Sequence, residues 1–325
     1  MTSVGALMLY EQSRLLLNDP VGKYLPPLAK MPVAVLSDGG SAQGQIPTVA
    51  ANRAMTVQDL LRHTSGLVYG GRGTTAVHKI YPATSSSSAT TMTGADFIAK
   101  LGTLPLLYQP GTVWDYSLSV DALGLLVEAL SEQTLGQYLQ ERLFKPLRMV
   151  DTGFLIPPDK VSRYAKALAN DPDTSKPQFV LDSTKPLKFE CGGGCAASTA
   201  GDYIRFGQML LNKGELDGAR ILSRKTVELM TADHLGPDVK NNIAQVDSSR
   251  IGYSFGLGVA VRKGAGLSPL MGSAGDFSWG GAYGTNFWVD PKEELVVVFM
   301  AHAPGPIRVH YRQVINALVL SALAD

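Results

Sequence analysis

Asn286-Phe287-Trp288-Val289-Asp290-Pro291-Lys292-Glu293-Glu294-Leu295-Val296-Val297-Val298-Phe299-Met300-Ala301 is the stretch on which the fold turns. Two short runs rich in valine and aromatic residues flank Asp290-Pro291-Lys292-Glu293, a turn by composition. Residues 286–290 and 295–301 therefore read as neighbouring strands. Residues 253–261, rich in glycine and valine, read as a further strand, and 308–323 as a closing helix. Upstream the apolar period lengthens from 2 to 3.6. Residues 119–131 put Ala122, Leu123, Leu126, Val127 and Leu130 on one helical face. Further helices are expected at 134–143, at 196–213 (anchored by Ile204, Phe206, Met209 and Leu210) and at 223–231. Helices in the middle and an antiparallel run of strands near the end make an α+β chain, not alternating βαβ.

The remaining segments fit the same division. Val4, Leu7 and Met8 begin a helix that Asn18-Asp19-Pro20 stops, because proline cannot continue it. Residues 20–50 are rich in proline and glycine and read as irregular. Thr56 is a fitting N-cap for a short helix with Asp59 in its first turn. That helix ends at His63-Thr64-Ser65-Gly66, with Gly66 as the expected left-handed stop. Residues 70–93, with Gly70-Gly71-Arg72-Gly73 and Ser85 to Ser88, read as a long polar loop before a helix opened by Thr93. The division expected is an α/β sheet region from residues 1–55 and 200–325, and a mainly helical region from 56–199. No internal repeat is present.

Composition narrows the functional classes. The chain has 325 residues with 29 basic and 28 acidic side chains, a net charge of +1, so nothing suggests a nucleic-acid binder. No apolar run reaches the roughly 18 to 20 residues of a membrane span. The opening residues have neither the basic n-region nor the small-residue cleavage site of a signal peptide. Two cysteines and five histidines exclude a disulfide framework and a multi-cysteine zinc module, and no metal or cofactor is expected. Two cysteines do not decide the compartment.

Four places can carry chemistry. Tyr116, in Trp114-Asp115-Tyr116-Ser117-Leu118-Ser119, precedes a strong helix whose dipole can stabilise a phenolate, so it can serve as a general base. From those residues alone, a buried tyrosine with one hydrogen bond is the preferred reading. Phe277-Ser278-Trp279-Gly280-Gly281-Ala282-Tyr283-Gly284-Thr285 heads a strand. Its consecutive glycines admit a close backbone or ligand, and its N–H groups can bind an oxyanion. A bulge or tight turn is the preferred reading from those residues alone. Cys191-Gly192-Gly193-Gly194-Cys195 lacks the further ligands a metal needs. A bridge across its glycines is geometrically possible, and a chain running close beside a cleft is the preferred reading. His63 reads as structural at a helix end, and the other histidines show no ligand spacing.

Taken together, these segments resemble the serine β-lactamase-like superfamily, which includes class C β-lactamases and family VIII carboxylesterases. Leu60-Leu61-Arg62-His63-Thr64-Ser65-Gly66-Leu67 resembles one signature, and Tyr116-Ser117-Leu118-Ser119 with Asp121-Ala122-Leu123-Gly124 another. So do Phe144-Lys145-Pro146-Leu147-Arg148-Met149, and Gly192-Gly193-Gly194 ahead of Ser198-Thr199-Ala200-Gly201-Asp202-Tyr203. Trp279-Gly280-Gly281 resembles the third motif as family VIII carboxylesterases carry it; class C enzymes have lysine-threonine-glycine there. The resemblance spans the chain in order. It implies an antiparallel sheet flanked by helices, a mostly helical second region, and acyl transfer from an ester or β-lactam. It also implies Tyr116 as general base, the Ala282 N–H as oxyanion donor, and Ser117, Trp279, Gly280 and Gly281 as substrate-binding residues.

Two departures shape the expectation. Leu118 stands where the lactamases often have asparagine, so a substrate-amide hydrogen bond is lost and ester cleavage is expected over β-lactam turnover. The family's Ser-x-x-Lys nucleophile motif occurs nowhere in the 325 residues. The chain reads as beginning just after it, with the two N-terminal strands of the family sheet also missing. Such a sheet would have an open edge, so either lower stability than a full member or pairing of that edge with another chain, a second copy included, is expected. The functional expectation is a serine esterase whose nucleophile lies outside this chain; the alternative is a catalytically dead homologue that binds the same class of ligand.

Overall fold

The computed structural model describes residues 1–36 and 46–324; part of the irregular 20–50 stretch therefore lies outside the described residues. The chain forms two compact units. The first comprises Met1–Gln140, Leu187–Cys195 and Leu235–Asn242; the second comprises Glu141–Pro186, Ala196–His234 and Ile243–Asp325.

The first unit is built around the Thr2–Glu11 helix. Val4, Ala6, Leu7 and Leu9 have no exposed surface. A helix apolar on nearly every side belongs in a core, and this one packs against the Ser119–Ser131 helix. There Ala122, Leu123, Leu126 and Val127 are likewise fully buried. The Val57–Leu61 helix begins with the expected Thr56 cap. The Thr56 hydroxyl accepts from the Asp59 N–H, and the Asp59 carboxylate accepts from the Thr56 N–H in return. Its end differs from expectation: His63 is the first left-handed residue, at φ 56°, and Gly66 follows at φ 85°. Gly66 is still required, because a Cβ there would lie 2.3 Å from the Tyr108 carbonyl oxygen. The polar stretch 70–93 is not one long loop. Thr75 and Thr84 cap short helices at Ala76–Ile80 and Ser85–Thr91, a hydroxyl-based signal that a serine- and glycine-rich composition hides.

The second unit holds a five-stranded antiparallel sheet whose strands lie side by side in chain order: Tyr253–Phe255, Ala260–Arg262, Phe277–Gly280, Asn286–Asp290 and Leu295–Phe299. The α+β reading thus holds. The expected single strand at 253–261 is two strands, because Gly256 to Gly258 turn the chain, with Gly258 at φ 97°. In the central pairing Trp288 faces Ser278 on one side and Val297 on the other. The Ala200–Leu211 helix covers the last two strands, with Gly207 against Val296. Leu295–Phe299 is an edge strand with all five residues half-buried. The Ile307–Ser321 helix closes the unit. The helix expected over 134–143 is α-helical only at Leu135–Leu139 and continues as a π turn through Phe144. No helix among the described residues is long and apolar enough to cross a membrane.

Candidate active site

Tyr116 sits in the first unit, between the short Val113–Trp114 strand and the Ser119–Ser131 helix. Its neighbours Trp114, Ser117, Leu118 and Ser119 are fully buried, while Tyr116 itself is half-buried. Burying two serines requires that each hydroxyl be satisfied, and a relay does this. The Ser117 hydroxyl lies 3.2 Å from His63 Nδ1 and 2.8 Å from the Ser119 hydroxyl. Ser119 lies 2.7 Å from Ser65, whose oxygen accepts the Leu67 N–H at 3.1 Å. The backbone joins in, since the Asp115 N–H donates to the His63 carbonyl at 3.0 Å. The Leu60–Leu67 and Tyr116–Ser119 segments, far apart in sequence, are therefore one hydrogen-bonded structure. His63 is at its centre, structural as expected.

Three side chains frame the Tyr116 ring. The His63 ring centre is 4.9 Å away and that of Tyr69 is 5.3 Å away. The Arg72 guanidinium lies over the ring at 5.5 Å, close enough to favour negative charge developing on the phenol. Beside them lies a buried carboxylate. Asp121 accepts from Ser85 at 2.7 Å, from Tyr69 at 3.4 Å and from the Gly193 N–H at 3.0 Å. Burial nevertheless pushes Asp121 up to about 6.

The Gly193 N–H comes from the Cys191–Cys195 loop, whose cysteines form a disulfide with Cα atoms 5.4 Å apart. The bridge, the lesser reading of the sequence, is thus formed, and the glycines serve close approach to buried side chains, not to the cleft expected from the sequence. A Cβ on Gly193 would lie 2.8 Å from Asp121 Oδ2 and from the Ser85 hydroxyl. The Gly192 carbonyl also accepts from the Thr2 hydroxyl at 2.8 Å.

Burial pushes the His63 imidazole down to about 3. Its folded value is thus below the roughly 6.5 of an exposed histidine. The unfolded chain takes up the proton first, so stability is whole above pH 6.5 and is lost as pH falls toward 3. His63→Asn keeps a residue that tolerates the left-handed backbone and removes the titration. The urea midpoint of the wild type is expected to fall more steeply between pH 7 and pH 4 than that of the variant. The differential is on the order of 3 kcal/mol; parallel pH profiles would disprove the linkage.

Trp279, Gly280, Gly281 and Ala282 lie in the second unit. Trp279 and Gly280 are the last two residues of the Phe277–Gly280 strand, and Gly281 to Thr285 form the turn into the next strand, so Ala282 is on a turn and not on a strand. The Gly281 N–H donates to the Thr285 carbonyl at 2.8 Å and the Gly284 N–H to the Gly281 carbonyl at 3.2 Å. Ala282 is exposed. The Trp279 indole stands edge-on to Phe255 at 5.2 Å, with the Arg250 guanidinium 5.0 Å over it. Arg250 also donates to the Ser278 hydroxyl at 2.6 Å.

The double glycine answers to two side chains. A Cβ on Gly280 would lie 2.5 Å from Arg312 Cζ, and one on Gly281 would lie 2.1 Å from the Thr285 hydroxyl. Sequence reasoning missed Tyr69, Arg72, Asp121, Arg250, Arg308 and Arg312. Arg72 had a local signal, a lone cation among three glycines; the others are brought in by the fold.

Comparison with known proteins covers nearly the whole chain. The family model described as Beta-lactamase matches residues 1–320. Protein Rv1367c of Mycobacterium tuberculosis is 36% identical over 310 residues, covering 93% of this chain and 75% of its own. Lovastatin esterase of Penicillium rubens is 26% identical over 328 residues, covering 94% of this chain and 78% of its own. Among solved structures, the unliganded simvastatin synthase of Aspergillus terreus superposes with a TM-score of 0.77 at 25% identity, over 98% of this chain and 80% of that one.

Proposed function

The chain belongs to the β-lactamase family, and from that premise we propose that it is built for serine acyl transfer on carboxylic esters. Its homologues are esterases, acyltransferases and β-lactamase-like enzymes. In this reading Tyr116 is the general base, the Ala282 N–H is an oxyanion donor, and Trp279, Gly280 and Gly281 contact substrate. Ser117, expected from the sequence to do so too, is fully buried with its hydroxyl on His63 and Ser119, and so supports the Tyr116 segment instead. The serine they serve is not among the 325 residues, where no Ser-x-x-Lys occurs.

The observation that carries the ester preference is Leu118. It is fully buried, so the second motif offers no side-chain amide to a ligand, and Tyr116 is its one half-buried member. A β-lactam acylamide would find no partner there. With a serine supplied, Tyr116 takes the hydroxyl proton as the serine oxygen bonds to the ester carbonyl carbon. The negative charge on the carbonyl oxygen is met by the Ala282 N–H. The carbon–oxygen bond to the alcohol then breaks, and the proton passes from Tyr116 to the departing alkoxide. The absence of Ser-x-x-Lys also favours a second reading, in which the chain binds ester-like ligands and turns none over.

Fluorophosphonate labelling followed by intact mass tests both, with circular dichroism to confirm the fold. The chain is expected to take no adduct. A form extended at its N-terminus by a Ser-x-x-Lys helical turn is expected to take one and to cleave p-nitrophenyl esters faster than nitrocefin. An adduct on the chain itself would show that one of its own serines is activated. A folded, unlabelled extended form would leave the ligand-binding reading. Faster nitrocefin cleavage would overturn the ester preference.

A further inference from the structure

The geometry points to Arg312 as a positioning residue that holds and polarises the Gly281–Ala282 peptide, the amide whose N–H is proposed above as the oxyanion donor; the inference rests on that reading. Arg312 Nη2 donates to the Gly281 carbonyl at 2.6 Å and to the Thr285 carbonyl at 3.0 Å, while Nη1 faces Asp247 at 3.3 Å. One turn earlier on the same helix face, Arg308 Nη1 donates to the Ala282 carbonyl at 3.0 Å. The carbonyls on both sides of the Ala282 N–H are therefore held by two guanidinium groups of the Ile307–Ser321 helix.

The Gly281 carbonyl and the Ala282 N–H belong to one planar trans peptide, so fixing the carbonyl fixes the direction of the N–H. A cationic donor on the carbonyl also draws electron density through the amide and strengthens the N–H as a donor, the cooperativity of chained hydrogen bonds. Arg312 is buried, which strengthens its field at the amide. Burial pulls its guanidinium down to about 10, against the attraction of Asp247, so it stays cationic at neutral pH.

A simple Arg312–Asp247 ion pair does not account for the glycine at 280. That position has no room for a Cβ because the guanidinium occupies it, so the third motif is shaped around this side chain. Preorganised donors of this kind need no rearrangement when charge develops on the substrate.

The test uses the chain as it stands, isotopically labelled, and follows the HNCO cross-peak that joins the Ala282 N–H to the Gly281 carbonyl carbon. Arg312→Lys keeps the charge but not the planar fork. Gly280→Ala displaces the guanidinium and removes no charge. In both, the Gly281 carbonyl carbon and the Ala282 amide proton are expected to move upfield. Titration with butylphosphonate is expected to move the wild-type Ala282 amide proton downfield, with half-saturation roughly three- to tenfold higher in the variants.

Cross-peaks unchanged in both variants would overturn the role of Arg312. A wild-type Ala282 amide unmoved by butylphosphonate, with the variant shifts intact, would instead overturn the oxyanion reading and the use assigned to the clamp. Should neither variant fold, the wild type decides. A hydrogen-bond coupling between an Arg312 Nη and the Gly281 carbonyl carbon supports the assignment, and its absence overturns it.

Discussion

Tyr116→Phe is expected to lower kcat for ester cleavage by about 10²-fold, in a form of the protein that carries a Ser-x-x-Lys turn, and to leave KM nearly unchanged. The substitution removes one oxygen and keeps the ring. The ring contacts with His63 and Tyr69 persist, so the thermal midpoint should hold, and a loss of turnover then reports chemistry. A group that only shaped the ground-state site would raise KM instead. Steady-state kinetics on p-nitrophenyl esters make the distinction, and unchanged kcat would remove Tyr116 from the mechanism. The Arg72 guanidinium over the ring gives the wild-type phenolate an electrostatic partner that the phenylalanine cannot use.

The parts of this site that were legible in the sequence are those set by near neighbours. Thr56 and Asp59 are three residues apart and cap each other. Ala122, Leu123, Leu126 and Val127 share a face because a helix repeats every 3.6 residues. The turn at Asp290 to Glu293 follows from its own composition. The strand division near Gly256 to Gly258 was missed because a glycine inside a β-rich run reads alike as bulge, kink or turn.

The glycine pair at 280 and 281 shows a harder limit. Its spacing says that something comes close, and it cannot say what. At 280 the occupant is the Arg312 guanidinium, a side chain 32 positions on along the chain. Arg250 reaches the same strand from the other direction through Ser278. No periodicity links such residues. Their roles come from the antiparallel meander, which returns the chain to the same strand.

Asp59→Ala is expected to cost on the order of 3 kcal/mol, the lower end of what breaking a buried ion pair does. Asp59 has no exposed surface and is the hub of the Leu60–Leu67 segment. Arg53 pairs with it at 2.5 Å and Arg62 at 3.1 Å. The Thr56 N–H and hydroxyl donate at 3.0 and 2.9 Å, and the Thr64 hydroxyl at 2.8 Å. The lower end applies because the Arg53 side chain is 42% exposed, so water can compensate part of its loss. The damage should extend beyond the pair. The Thr64 N–H rests on the Asp59 carbonyl and the Thr64 carbonyl accepts from Gly111, so loosening this hub loosens the backbone that carries His63 and, through it, Ser117 and Tyr116.

The pH dependence identifies the cause. Burial alone would raise the Asp59 carboxyl, but Arg53, Thr56 and Thr64 outweigh it and hold it below the ordinary 3.8. A carboxyl with a depressed folded value contributes its full stability above the unfolded value, near 3.9, and loses it as pH falls further. Thermal melts at pH 7 should therefore separate wild type and variant by about 4 °C, with the gap shrinking below pH 4. A gap that persists unchanged in acid would assign the loss to packing and not to the ion pair. A gap under about 1 °C at pH 7 would mean that solvent replaces every contact of this carboxylate at no cost.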